Sequence, residues 1–349
     1  MRRLILPAML AMGGCLQLKA VEDIETSSIG LLFRPGLPSE EERGSITLFH
    51  VHHQPVGTDE PGPGDYAQRD YGAVLIGPVH RSEASITRFY LGARQRELDG
   101  DIIFASPSTP PAEATRLPES VDEIAGGLYG KRLLEGRRAM SWRIGVASRS
   151  DRPFHSMDET GVEAEFFHLQ PRQNGDAWYL GLFMNSLGRL PWIPLPGGGY
   201  VWRVDEGLTL TIGVPVVNVR WSLPRRWQFT GSASVFESGS ASLTRGFGEE
   251  LPVGSQYSLS ARIYRSTWSS RPHRRSDEDN ELTYREWRAG LAGTVRFGFI
   301  GSAGLEAGWS FKRKLREEEE VFFWEDSDHT SIVDPDDTWY LSATASMNF

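Results

Sequence analysis

The chain has 349 residues, 39% of them hydrophobic, with 37 Lys and Arg against 46 Asp and Glu, a formal net charge of −9. Glycine and proline number 37 + 21 = 58 without any glycine period, which excludes collagen-like and wholly disordered chains. The 38 aromatics (11 Trp, 10 Tyr, 17 Phe) favour strands over a helical bundle, and an acidic chain without basic patches is a poor nucleic-acid binder.

The first twenty residues have the layout of a secretory signal. Arg2 and Arg3 form a short basic region, and Leu4 to Met12 is an apolar run too short to span a membrane as a helix. Ala20 is the candidate cleavage site. Its use would remove three basic and no acidic residues, leaving 34 − 46 = −12. Cys15, the only cysteine, lies in LAMGGC. It reads either as a lipobox cysteine, acylated as the mature N-terminus, or as a residue discarded with the signal. Met12 stands where a lipobox usually has Leu, which favours the second reading. A mature chain starting after Ala20 has no disulfide or thiol chemistry. Residues 21–43 are rich in Pro, Gly and acidic side chains and read as a flexible N-terminal segment, leaving 44–349 for the folded part.

From there the dominant signal is alternation with period two. It is clearest at the C-terminus, where Trp339, Leu341, Ala343, Ala345, Met347 and Phe349 share one face and Ser342, Thr344, Ser346 and Asn348 the other. Fourteen segments read as strands: 45–54, 85–97, 123–134, 138–149, 161–170, 176–186, 198–204, 207–222, 226–236, 239–247, 256–268, 284–297, 299–312 and 338–349. Segments 198–204 and 239–247 are the weakest, and without them twelve remain. Residues 55–84 and 105–120 read as loops. Many strands have roughly the 9–11 residues that cross a bilayer at a tilt. Trp227, Trp287, Phe297, Phe299, Trp309, Phe311, Trp339 and Phe349 gather near strand ends, as in the aromatic girdles of membrane barrels. Links near Gly298, 248–255 and 222–225 are short, whereas 269–283 and 313–337 are long and charged. These features predict an all-β, transmembrane, up-and-down antiparallel β-barrel of about 12 strands, range 12–14, exported to the outer membrane.

The run LPWIPLPGGGYVWRVDEGLTLTIGVPVVNVRW (190–221), preceded by LYGKRLL, SWRIGVASRSDRPF and DAWYLGLFMNS, resembles a domain-of-unknown-function family of bacterial outer-membrane β-barrel proteins. The resemblance covers about residues 120–349 and implies a barrel without an assigned activity. The terminal Phe349, with apolar residues at alternate positions before it, looks like the C-terminal signal read by the barrel-assembly machinery. The expected partners are therefore that machinery and outer-membrane lipids.

Arg143, Arg262, Glu286, Arg288, Arg296, Glu306 and Lys312 fall on the face opposite the apolar one. Charges on a lipid face are costly, so these seven are assigned to the lumen. They would either set the selectivity of a pore or fill a closed barrel as mutual partners. Other clusters carry less. His50, His52 and His53 in FHVHH suggest a metal, and His50 and His52 share a strand face, a spacing seen in zinc sites, but further ligands are lacking. His155 and Ser156 sit in a loop-like stretch with Asp151 and Asp158, and no GxSxG motif is present. Glu317 to Glu320 with Asp326, Asp328, Asp334, Asp336 and Asp337 lack the spacing of a calcium loop. Gly231, Gly290, Gly293, Gly301, Gly304 and Gly308 ease sheet curvature. Pro194 and Pro196 with Gly197 to Gly199 form either a plain connector or a loop folding into the barrel mouth. No catalytic, cofactor-binding or metal-binding residue is assigned. The expected role is a passive channel or structural barrel, not an enzyme. The alternatives are an outer-membrane lipid hydrolase and a soluble exported β-sandwich binding glycans.

Overall fold

A strand with unlike faces still exposes two polar edges, and a sheet loses both only by closing on itself. The computed structural model shows that closure. It describes residues 44–57, 66–99, 103–104, 115–116, 118–157, 159–186, 193–205, 207–214, 216–234, 239–247, 255–270, 280–298, 300–319 and 329–349. The signal-like segment, Cys15 and residues 21–43 lie outside the described residues.

In chain order the strands are β1 (Ser45–His53), β2 (Ala67–Arg81), β3 (Ser85–Asp99), β4 (Ile103–Phe104), β5 (Thr115–Arg116), β6 (Ser120–Leu133), β7 (Ala139–Ser150), β8 (Thr160–Pro171), β9 (Ala177–Asn185), β10 (Leu195–Arg203), β11 (Leu208–Val214), β12 (Val216–Leu223), β13 (Trp227–Ser234), β14 (Gly239–Phe247), β15 (Ser255–Ser270), β16 (Asn280–Phe297), β17 (Gly301–Glu319), β18 (His329–Val333) and β19 (Thr338–Asn348). Sixteen of them form the wall, each antiparallel to the next. β19 returns to pair with β1 from Ser45↔Asn348 to His53↔Tyr340. β4 and β5 pair only with each other, and β18 adds to the upper part of β17. The seam is clasped where Gly44 N donates to Phe349 O (2.9 Å) and Phe349 N to Gly44 O (3.0 Å).

Both ends of the described chain lie at one rim, here called the near end. Short links join strands there: residues 82–84, 134–138, 172–176, 204–207, 224–226 and 298–300. Most of the longer connections are at the far end, where β15, β16 and β17 reach 16, 18 and 19 residues.

The burial pattern is inverted relative to a water-soluble fold. Leu180, Leu291 and Leu305 are 67%, 62% and 63% exposed, whereas Asp70, Glu286 and Arg288 are 0%, 1% and 1% exposed. Outward tryptophans form two belts. Trp142, Trp178, Trp202, Trp221 and Trp227 lie toward the near end, and Trp287, Trp309 and Trp339 farther up. On β19 the outward face runs from Trp339 to Phe349, 349 − 339 = 10 residue steps. At ~3.3 Å per residue and a tilt of ~40° this is roughly 25 Å, the height of the apolar band on membrane barrels.

Inside, tyrosines lie along the wall over glycines of the next two strands. Tyr90 of β3 covers Gly127 and Gly145, and Tyr179 of β9 covers Gly199 and Gly213. A Cβ built at Gly145 or Gly213 would sit 2.0 or 2.3 Å from the tyrosine oxygen. These glycines provide room for a ring.

The expected 12 strands, and the range 12–14, are too few. β2 reads as a loop because Gly72, Gly77 and Pro78 interrupt it. Pro78 is tolerated because the β1 ladder ends at Ile76 and the strand bulges between Pro78 and His80. The segment 207–222 is two strands, β11 and β12, antiparallel from Leu208↔Trp221 to Thr211↔Asn218. The weak segments 198–204 and 239–247 are both wall strands.

The seam register gives a direct test. Thr47 and Ser346 are partners across it, Oγ1 to Oγ 3.1 Å. The Thr47→Cys/Ser346→Cys variant is expected to form a disulfide in the folded protein. Thr47→Cys/Ala345→Cys, whose side chains point to opposite faces, is expected not to. A gel of both variants before and after reduction checks this.

A candidate functional site inside the barrel

The wall is pinched at the far end. The Ser270 hydroxyl of β15 donates to the backbone carbonyl of Arg149 on β7 at 3.1 Å. These strands lie eight steps apart in either direction around the sixteen-strand ring, so they are diametrically opposed. The pinch leaves two halves there, each bounded by nine strands counting β7 and β15. About eight strands enclose just enough room for side chains, so each half is narrow enough to be filled by its own residues.

The half walled by β16, β17, β19, β1, β2, β3 and β6 is filled in layers. Toward the far end Tyr66, Leu98, Val121, Leu282, Tyr284 and Leu315 pack together, with Tyr66 and Tyr284 stacked at 6.4 Å between ring centres. Toward the near end Phe49, Val74, Ile76, Tyr90, Ala125, Tyr129 and Ala147 form a second apolar cluster.

Between them lies a charged layer. Asp70 accepts from Arg94, from Arg96 Nε (3.0 Å) and from Gln68 Nε2 (3.1 Å). Glu286 accepts from Arg288, from the Ser310 hydroxyl and from Tyr284 OH (3.0 Å), and His53 Nε2 lies 3.3 Å away. Arg313 Nε donates to Tyr284 OH (2.8 Å), its Nη1 donates to the Asp336 carbonyl (2.8 Å), and its guanidinium lies over the Tyr66 ring. Glu306 joins Arg262 (3.3 Å) to Tyr340 OH (2.5 Å). Arg143 joins Glu163 (3.0 Å) to Tyr90 OH (3.3 Å). Ions out of water are costly unless matched and hydrogen-bonded; each of these carboxylates has an arginine, and Asp70, Glu286 and Glu306 each have at least one further donor.

Five of the seven residues assigned to the lumen, Arg143, Arg262, Glu286, Arg288 and Glu306, are buried inside the wall. Arg296 points inward near the near end and is half-buried. Lys312 is exposed, and the assignment is corrected: Arg313 takes the inward place. Opposite Arg285 and Trp287, β17 carries one extra residue, and Lys312 sits there with φ 50°. The bulge reverses parity. Even residues face inward up to Ser310, odd ones from Arg313. The sequence reading missed Asp70 because β2 looked like a loop. It also missed Arg94 and Arg96, whose partners lie on other strands, and it read His53 only as one of the FHVHH histidines.

His50 and His52 lie on the outward face, and among the described residues no group of three His, Cys, Asp or Glu is placed to hold a metal. His155 is exposed in the loop between β7 and β8. Ser310, Glu286 and His53 have the composition of a hydrolytic triad, but the carboxylate stands between the other two. Ser310 donates to Glu286, not to the imidazole, and all three are within 1% of complete burial. A nucleophile of a hydrolytic triad needs the imidazole within hydrogen-bond reach and access to substrate, and this arrangement provides neither.

The other half has a different lining. On β12 to β15 the inward side chains are mostly small and hydroxylic, bonded across strands: Thr230 to Ser242 (2.7 Å), Ser232 to Ser240 (2.8 Å) and Thr244 to Ser260 (2.9 Å). Asn218, Thr230, Ser232, Ser240 and Thr244 are only half-buried, and Arg220 and Ser222 are exposed although they point inward. Solvent therefore reaches this face. At the near rim Asp176 accepts from Tyr200 OH (2.5 Å) and Arg203 N (2.9 Å). Those bonds hold its carboxyl below the usual carboxylate range.

No family model matches the chain, and no curated protein matches it. The resemblance of residues 190–221 to one particular family of uncharacterised barrels therefore gains no support. Solved structures of outer-membrane barrels superpose loosely. The toluene transporter TodX of Pseudomonas putida is 8% identical, with a TM-score of 0.36, covering 93% of this chain and 93% of that one. An outer membrane channel from Pseudomonas putida F1 is 9% identical, with a TM-score of 0.35 and coverage of 89% and 99%. LpxR from Salmonella typhimurium is 12% identical, with a TM-score of 0.33 and coverage of 87% and 100%. Likeness this coarse assigns no role.

The matched interior makes a prediction about stability. Arg288→Met leaves Glu286 buried without its strongest partner and should cost about 3–5 kcal/mol. The Glu286→Leu/Arg288→Met double variant should be more stable than the single one. Urea midpoints of the refolded proteins measure both.

Proposed function

We propose that this protein resides in a bacterial outer membrane and acts as a passive channel whose passage runs along the β12–β14 side of the barrel. The observation that carries the reading is the solvent-reached, hydroxyl-rich inner face of β12 to β14, set inside a wall whose outer face is apolar. Contiguous exposed apolar surface on this scale marks contact with lipid or protein. Its band of roughly 25 Å between two tryptophan belts fits a bilayer. A closed wall also satisfies the backbone hydrogen bonds that hydrocarbon cannot. In this reading outer-membrane lipids surround the wall and the barrel-assembly machinery recognises the strand ending at Phe349. In this reading the barrel does not act as an enzyme, which the burial of the Ser310, Glu286 and His53 cluster supports. A soluble glycan-binding sandwich would require two packed sheets, and this sheet is a single closed one.

Because one half of the section is filled, the conductance should be well below that of an open barrel of sixteen strands. Purified full-length protein in a planar bilayer is expected to give discrete current steps in potassium chloride. A folded, membrane-inserted protein that gives no steps would contradict the channel and leave a structural barrel.

A further inference from the structure

The inward positions of β10 to β15 can be followed from strand to strand by register. One ladder runs Arg203↔Thr209, Thr209↔Arg220, Arg220↔Thr230, Thr230↔Ser242 and Ser242↔Arg262. It starts at the near-end terminus of β10 and reaches the middle of β15, so it climbs the wall as a tilted stair. All six side chains donate hydrogen bonds and three are cationic. No step carries a carboxylate.

The neighbouring ladders show that the charge is placed. Toward the near end the series is Ser222, Gln228, Thr244, Ser260; toward the far end it is Thr211, Asn218, Ser232, Ser240, Tyr264. Both are uncharged. Among the described residues, carboxylates meet members of the stair at its ends. Asp176 accepts from the Arg203 backbone, and Glu306 pairs with Arg262 at 3.3 Å. The chain as a whole carries −9, so a cationic stripe is not what its composition would supply by default.

Strands lie ~4.8 Å apart, so Arg203 and Arg220, two strands apart, are about 10 Å from each other across the sheet. That is close to one Debye length at physiological salt, ~8 Å, so their fields overlap along the stair. Arg203, at the near rim, and Arg220 are both exposed. Guanidinium and hydroxyl donors in series replace the hydration of an anion and repel a cation.

We infer that the accessible part of the stair, Arg203–Thr209–Arg220–Thr230, is an anion track that makes the passage selective for small anions, with the buried Ser242 and the Glu306-paired Arg262 closing its upper end. This rests on the channel reading and specifies what that channel passes. The test is the reversal potential of the full-length protein in a planar bilayer under a tenfold potassium chloride gradient. The wild type should favour chloride over potassium. The Arg203→Ser/Arg220→Ser variant should lose at least about threefold of that preference. Arg245→Ser, which removes an outward arginine stacked on Trp227 and Phe247, should leave it unchanged. A heat-dependent gel shift of each variant verifies folding. Current that favours potassium, or a chloride preference unaltered in the double variant, would overturn the anion track while leaving the channel standing. Folded protein without current would remove the channel itself.

Discussion

The pairing of β1 with β19 is the constraint on which the rest of this molecule depends. Without it, the Ser45–His53 and Thr338–Asn348 edges would present unpaired amides and carbonyls to whatever surrounds the wall, and hydrocarbon offers them no partner. With it, every wall strand is flanked on both sides, and the period-two alternation separates an inside from an outside. The sorting of charge then follows. Asp70, Glu286 and Arg288 go where partners can reach them, and Leu180, Leu291 and Leu305 go outward.

Closure also determines what the inside can be. Sixteen strands would leave a wide lumen, but the Ser270–Arg149 contact divides the far end into two narrower halves. In one half, residues three and four strands apart meet, as His53 does Glu286 and Tyr66 does Tyr284. Apolar clusters above and below a charged layer make that half a core. In the other half the β7–β10 part is packed by Ala139, Phe167, Ala177, Tyr179 and Val201, and small hydroxylic side chains line the inner face of β12 to β14. The channel reading is placed on that side because its inward side chains on β12 to β14 remain half-buried or exposed.

Much of this was legible in the residues, and the failures have identifiable causes. β19 reads plainly because one apolar series runs unbroken from Trp339 to Phe349. β2 does not, because Gly72, Gly77 and Pro78 are loop residues by habit and strand residues here by position. β11 and β12 merge in the sequence because alternation continues through Gly213 and Val214 into Val216 and Val217 with no polar turn. Lys312 was placed inward because nothing in the run KRK marks which residue bulges. Which charges lie inside is a matter of parity and is local. Which charges meet depends on closure and on the pinch, and no window of neighbouring residues contains that information. The arginine stair is another such case, since its six members span residues 203 to 262 and become a series only through register.

The central claim is that the apolar outer face meets lipid. The most direct measurement is tryptophan fluorescence of the protein in vesicles whose lipids carry bromine at defined depths, compared with quenching by iodide in the water phase. The eight outward tryptophans among the described residues lie in two belts and predict strong quenching by bromine near the headgroup boundary, weaker quenching at the bilayer centre, and little by iodide. Strong iodide quenching with none from brominated lipid would mean that the belts face water, and the inside–outside assignment would then be wrong.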